Sequence, residues 1–79
     1  MQDQIATYIS AELLKDPTRK IAFDEALISS GLVDSFSLVD LALFIEETFG
    51  ARIDDTELTV DVFDTIEELV ALISARIAA

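Results

Sequence analysis

Pro17, Gly31 and Gly50 are the only proline and the only two glycines in this chain. These residue types end helices and free the backbone for turns, so a chain so poor in them is committed to long elements with few breaks. Between the breaks, apolar residues are abundant. They make up 52% of the 79 residues, enough for one small core and too little chain for two domains.

The spacing of those apolar residues is helical over most of the chain. Ile5, Tyr8, Ile9 and Leu13 recur on one side of a first helix from Gln2 to Leu14, which "KDP" at Lys15, Asp16 and Pro17 brings to an end. Residues 16–33 hold no sustained period. They do carry Ile21, Phe23, Leu27, Ile28, Leu32 and Val33, the side chains that would pin so long a loop to a core. Within the loop, Asp24 is placed to cap a short turn through Ile28, and Gly31 to take a left-handed backbone. "DSFSLVDLALFIEETFG" is the strongest helix, with Asp34 as its N-cap and Gly50 as its stop. After the polar "ARIDDTEL", a short third helix is expected at Thr59 to Phe63. A final helix starts at "TIEE", where Thr65 and Glu68 match a capping box, and Ile66, Leu69, Val70, Ile73 and Ile77 supply its apolar stripe. With no strand pattern and no internal repeat, the expected fold is all-α. It is a single domain over residues 1–79, a small irregular four-helix bundle with a long first loop and a short third helix.

The helix after Asp34 carries more apolar residues than one core stripe needs. Wound at about 100° per residue, Leu38, Leu41, Ala42, Ile45 and Phe49 fall together as a core stripe should. Phe36, Val39 and Leu43 fall on another side, bordered by Asp40, Glu46 and Glu47, while Phe44 lies between the two groups. An apolar strip rimmed with carboxylates has the pattern of a docking surface, unless the long loop or another helix covers it.

Charge narrows the choice of partner. Sixteen acidic residues against five basic ones give a formal charge of −11, which repels nucleic acid phosphates and anionic lipid and favours a protein with a basic patch. The blander use of such charge is solubility. No apolar run approaches the roughly 20 residues of a bilayer span, and "MQDQIATYIS" lacks the basic start of a secretion signal. The expectation is a soluble cytoplasmic monomer that neither enters a membrane nor binds nucleic acid.

Ser35 stands at the head of the second helix, beside that apolar strip. The chain has no histidine, so no Ser-His-Asp arrangement exists. Its two lysines, Lys15 and Lys20, lie in or beside the polar first connection, where nothing would desolvate them into bases. Cysteine is absent too, which removes disulfides and thiolate chemistry. "DDTE" at Asp54 to Glu57 lacks the glycine and spaced oxygens of a calcium loop, so no metal site is expected. There are no residues here for an enzyme. Ser35 is left as a simple cap or as the acceptor of a modification.

The stretch "LISSGLVDSFSLVDLALFIEETFG" resembles the loop and second helix of acyl carrier and peptidyl carrier proteins, which carry Asp-Ser and then a large apolar residue at the head of that helix. The likeness spans nearly the whole chain, through the "FG" that closes the helix to the "FDTIEEL" that opens the last one. The resemblance implies that a phosphopantetheinyl transferase moves 4'-phosphopantetheine from coenzyme A onto Ser35, with Asp34 as the flanking motif and cap. The thiol of that arm then holds an acyl or aminoacyl group as a thioester. An acyl- or aminoacyl-activating ligase loads it, and downstream acyl-transfer or condensing enzymes unload it. Phe36, Val39, Asp40, Leu43, Glu46 and Glu47 match positions the family uses for partner binding. In this chain Phe36 replaces the usual leucine, and "SSGLVDS" looks more like stand-alone carriers of D-alanine, amino acids or secondary-metabolite intermediates than like the fatty-acid carrier. The alternative is an unmodified acidic adaptor that binds a basic protein through the same helix.

Overall fold

The computed structural model describes residues 1–78, and no strand occurs among them. Three helices carry the fold: α1 (Gln2–Tyr8), α2 (Ser35–Phe49) and α3 (Ile66–Ala78). Ile5 and Ile9 from the first helical segment, Leu38, Leu41 and Ile45 from α2, and Ile66, Leu69 and Ile73 from α3 are buried in one core. Ala42, Phe49 and Val70, also expected inside, pack against it partly buried. Phe44 joins that side as well. Its ring stacks on Tyr8 with centroids 4.1 Å apart and meets Phe49 edge-on at 6.1 Å. Ile77, at the end of the expected stripe on α3, is exposed.

The first helix is less regular than its periodicity predicts. After Tyr8 the backbone widens into a π-helical segment, Ile9–Leu13, closed by the Leu14 N–H donating to the Ile9 carbonyl at 2.8 Å. Ser10 accounts for part of this. Its buried hydroxyl lies 3.0 Å from the Ala6 carbonyl and 2.7 Å from the Arg19 carbonyl, a back-bond that loosens a helix and a tie that draws the returning loop onto it. Lys15 then takes the left-handed conformation that glycine usually supplies after a helix.

The long first loop is pinned as expected by Ile21, Leu27 and Val33, all buried, with Ile28 and Leu32 packed alongside. Phe23 is the exception, being exposed. Its contribution is through the backbone, where the Phe23 carbonyl accepts from the Glu67 N–H at 3.1 Å. Gly31 has the left-handed backbone foreseen for it, with φ 78°.

The capped turn expected from Asp24 through Ile28 lies later, at residues 28–31, and Asp64 caps it. Its carboxylate accepts from the Ile28 N–H at 2.7 Å, the Ser29 N–H at 2.9 Å and the Ser29 hydroxyl at 2.5 Å, while its carbonyl accepts from the Leu27 N–H at 2.7 Å. These bonds, led by that from the Ser29 hydroxyl, hold the Asp64 carboxyl below its ordinary pKa. The loop that leads into Ser35 is thus fastened to the residues that open α3.

One element needs correction. Thr59 to Phe63 forms only a single turn, in which the Val62 and Phe63 N–H groups both donate to the Thr59 carbonyl. Two β-branched residues, Val60 and Val62, disfavour helix there, and Phe63 is drawn into the core. The short helix lies earlier, as a 3-10 turn at Asp55–Glu57. The Glu57 carboxylate accepts from the Asp54 N–H at 3.0 Å, and Arg76 of α3 pairs with Glu57 while donating to the Arg52 carbonyl at 2.8 Å. The described residues therefore hold three helices and a 3-10 turn in place of four helices. At the start of α3, Thr65 accepts from the Glu68 N–H as a capping box requires. Glu68 reaches back one residue further than expected, to the Asp64 N–H at 3.0 Å.

Candidate functional site

Asp34 has extended backbone and its carboxylate accepts from the Ser37 N–H at 2.8 Å, which makes it the N-cap of α2. That bond, followed by one with the Ser37 hydroxyl, keeps the Asp34 carboxyl below its ordinary pKa. Ser35 is the first residue of the helix and is exposed. Because Asp34 makes the cap, the Ser35 hydroxyl is not engaged in it and faces solvent. The other first-turn N–H groups have no partner inside the helix and, with the helix dipole, favour an anionic group at this position. An exposed hydroxyl at the positive end of a fifteen-residue helix fits a phosphodiester well.

From Ser35 an apolar strip runs down the exposed side of α2. Phe36 is 85% exposed, Val39 46% and Leu43 52%, so neither the first loop nor another helix covers them. Asp40, Glu46 and Glu47 are exposed on the same side, and all six residues fall within about a third of a turn. The acids divide between two flanks. Asp40 and Glu47 lie on the α1 side, where, after burial, they are among the causes that raise the Tyr8 pKa, and the Tyr8 hydroxyl donates to the Asp40 carbonyl at 3.3 Å. Glu46 lies on the other flank and lines a groove with Val39, Ala42, Leu43 and the segment Arg52 to Asp55.

The periodicity of α2 is enough to bring the six strip residues together, and the structure leaves none of them in the core. Two features that shape the site lie outside the sequence expectations. Asp54 to Glu57, in the polar stretch where no helix is expected, form a capped 3-10 turn, although the Asp-x-x-Glu spacing is itself a capping signal. The fastening of the loop by Asp64 left no local signal, because its partners lie 35 and 36 residues away.

Comparison with known proteins agrees with this geometry. A family model described as the phosphopantetheine attachment site matches residues 3–73. A D-alanyl carrier protein of Abiotrophia defectiva is 32% identical over 79 residues, covering all of this chain and 99% of that protein. A D-alanyl carrier protein of Bacillus pumilus is 39% identical over 57 residues, or 72% of this chain and 73% of that one. No solved structure matches the chain significantly. Since the family match runs from the first helix into the last, this chain belongs to the phosphopantetheine-attachment family, as a carrier protein that bears a covalent 4'-phosphopantetheine arm and is not an enzyme.

Proposed function

We propose that Ser35 is the residue that receives the arm, and that the finished carrier delivers D-alanine or a similar small amino acid. The observation that carries the first part is the exposed Ser35 hydroxyl at the head of α2, left free because Asp34 makes the cap. The second part is supported by the two relatives, both D-alanyl carrier proteins, one of them similar over the full length of both chains. In the attachment step the Ser35 oxygen bonds to the pantetheine-bearing phosphorus of coenzyme A. The pyrophosphate P–O bond breaks, adenosine bisphosphate leaves, and the serine proton passes to the transferase or to water. Once attached, the arm supplies the thiol that this chain lacks, and the load is held on it as a thioester.

The partners in this reading are a phosphopantetheinyl transferase, an aminoacyl-activating ligase and the acyl-transfer enzyme that takes the load. Phe36, Val39 and Leu43 provide the apolar contact for them, while Asp40, Glu46 and Glu47 attract their basic rims. Residues 1–79 act as one monomeric carrier domain. Coenzyme A and an activating ligase both suit the cytoplasm, and no helix among the described residues is long and apolar enough to cross a membrane. A bare adaptor is not favoured, because it has no use for the phosphopantetheine signature that the chain matches.

The test is direct. Incubation with coenzyme A and a promiscuous phosphopantetheinyl transferase raises the intact mass by one phosphopantetheine, and Ser35→Ala abolishes the gain. A folded wild-type chain that gains nothing, or a Ser35→Ala chain that still does, overturns the assignment of Ser35.

A further inference from the structure

The first helical segment and α2 leave an open cavity between them, on the flank of α2 away from the groove that Glu46 lines. Its volume is about 410 Å³, and Tyr8 and Phe44, half-buried and stacked ring on ring, both line it. Ala11 and Glu12 reach it from the π-helical segment, a kind of widening that recurs at functional sites. Asp3 and Thr48 line it too, and no lysine or arginine among the described residues does.

The chemistry of this cavity suits a cation. An aromatic face attracts one through the ring quadrupole, and carboxylates placed around the ring add Coulomb attraction in the same sense. Asp3 and Glu12 line the cavity, and after burial the charges of Asp40, Glu12 and Glu47 raise the Tyr8 pKa, so negative potential falls on the stacked rings. A guanidinium fits better here than an ammonium. It is flat, stacks on a ring, is more weakly hydrated and presents several N–H donors in a fixed fork. The cavity also adjoins the exposed strip. Wound at about 100° per residue, Glu47 and Asp40 fall between Leu43 and Phe44, so an acidic ridge is all that parts the two on α2.

We propose that this cavity is a guanidinium pocket, which takes an arginine from a basic protein partner. The planar end lies against the Tyr8–Phe44 pair, and its N–H groups donate to the Glu12 carboxylate and the Thr48 hydroxyl. A net charge of −11 draws basic proteins in general, and charge alone does not orient them. A pocket built on two helices does, because it holds one side chain at one place. A protein seated on Phe36, Val39 and Leu43 that extends an arginine across Asp40 and Glu47 gains both contacts, whereas a basic protein without that arginine gains only the first. The pocket thereby chooses among basic partners.

The experiment titrates the full chain with the blocked peptide Gly-Arg-Gly and with its lysine and citrulline counterparts, and reads amide shifts by NMR. Citrulline keeps the shape of arginine without the charge. The arginine peptide shifts the Tyr8, Ala11, Glu12, Phe44 and Thr48 amides saturably, and binds about tenfold more tightly than the citrulline peptide, with the lysine peptide between them. Added salt weakens the arginine and lysine peptides and leaves the citrulline peptide alone. Glu12→Gln with Glu47→Gln, both at exposed positions, brings the arginine peptide down towards the citrulline one. Phe44→Leu removes the preference for arginine over lysine while the salt dependence stays. Three results overturn the inference: no saturable shift at these amides, citrulline bound as tightly as arginine, or shifts spread over the carboxylates of the whole chain and equal for arginine and lysine. The peptides carry no apolar anchor, so each of these outcomes leaves the docking assigned to Phe36, Val39 and Leu43 standing.

Discussion

Leu38, Leu41 and Ile45 lie buried on one side of α2, while Phe36, Val39 and Leu43 lie exposed on the other. The two groups belong to the same fifteen residues and have nearly the same chemistry. The first contributes most to folding, at about 1.5–3 kcal/mol for each side chain taken out of water. The second contributes less, since Val39 and Leu43 are about half exposed and Phe36 almost wholly so, and polar residues at those positions would serve solubility better. On the proposed reading, apolar character kept on an exposed strip beside Ser35 answers to contacts made with other molecules. Helical spacing alone does not mark a core, and α2 carries a buried apolar face and an exposed one.

The comparison is broken most forcefully on the buried side. Ile45→Ala leaves a cavity where α2 meets the core and costs about 2–5 kcal/mol, read as a lower denaturant midpoint with an unchanged m-value. A change on the exposed strip that cost as much would erase the distinction between the faces.

A second prediction concerns the loop that leads into the exposed face. Asp64 accepts three hydrogen bonds from Ile28 and Ser29, and its folded pKa lies below the ordinary value. A carboxyl with a depressed folded pKa contributes stability that is fully present above its unfolded pKa and is lost as pH falls through the folded one. Asp64→Asn therefore lowers the melting temperature at neutral pH, and the gap from wild type narrows as pH drops through the carboxylate range. A gap that stays constant with pH would show that the Asp64 charge contributes nothing to the fastening.

The smallest effect on stability is expected on the exposed strip, where it sharpens the contrast. Phe36→Ser changes stability by no more than about 0.5 kcal/mol, as exposed substitutions usually do, and Leu43→Ser, at a half-exposed position, by about 1 kcal/mol. Both nonetheless raise the KM of the loading ligase for the carrier, with kcat little changed. If both folded variants are loaded as well as wild type, the strip is not the docking surface.

Much of this division was legible in the sequence. Asp34 and Gly50 bound α2 because a cap and a left-handed stop are local signals, and the helical period separates the two faces without knowledge of any neighbour. The carrier signature at Asp34-Ser35 is likewise local. What escaped depends on residues distant in the chain. Asp64 fastens Ile28 and Ser29 across the loop, and Ser10 holds the Arg19 carbonyl while the first helix widens around it. The short helix was misplaced because the Asp54–Glu57 pair, clamped by Arg76 from α3, outcompetes the β-branched turn at Thr59 to Phe63.

The central claim is that Ser35 bears a loaded arm. It is tested most directly by mass spectrometry of the protein taken from its source cells with thioesters preserved. The account predicts a fraction carrying phosphopantetheine plus one alanyl group, with fragmentation placing both on the peptide that contains Ser35. Phosphopantetheine on any other residue, or a protein found wholly unmodified, would contradict it.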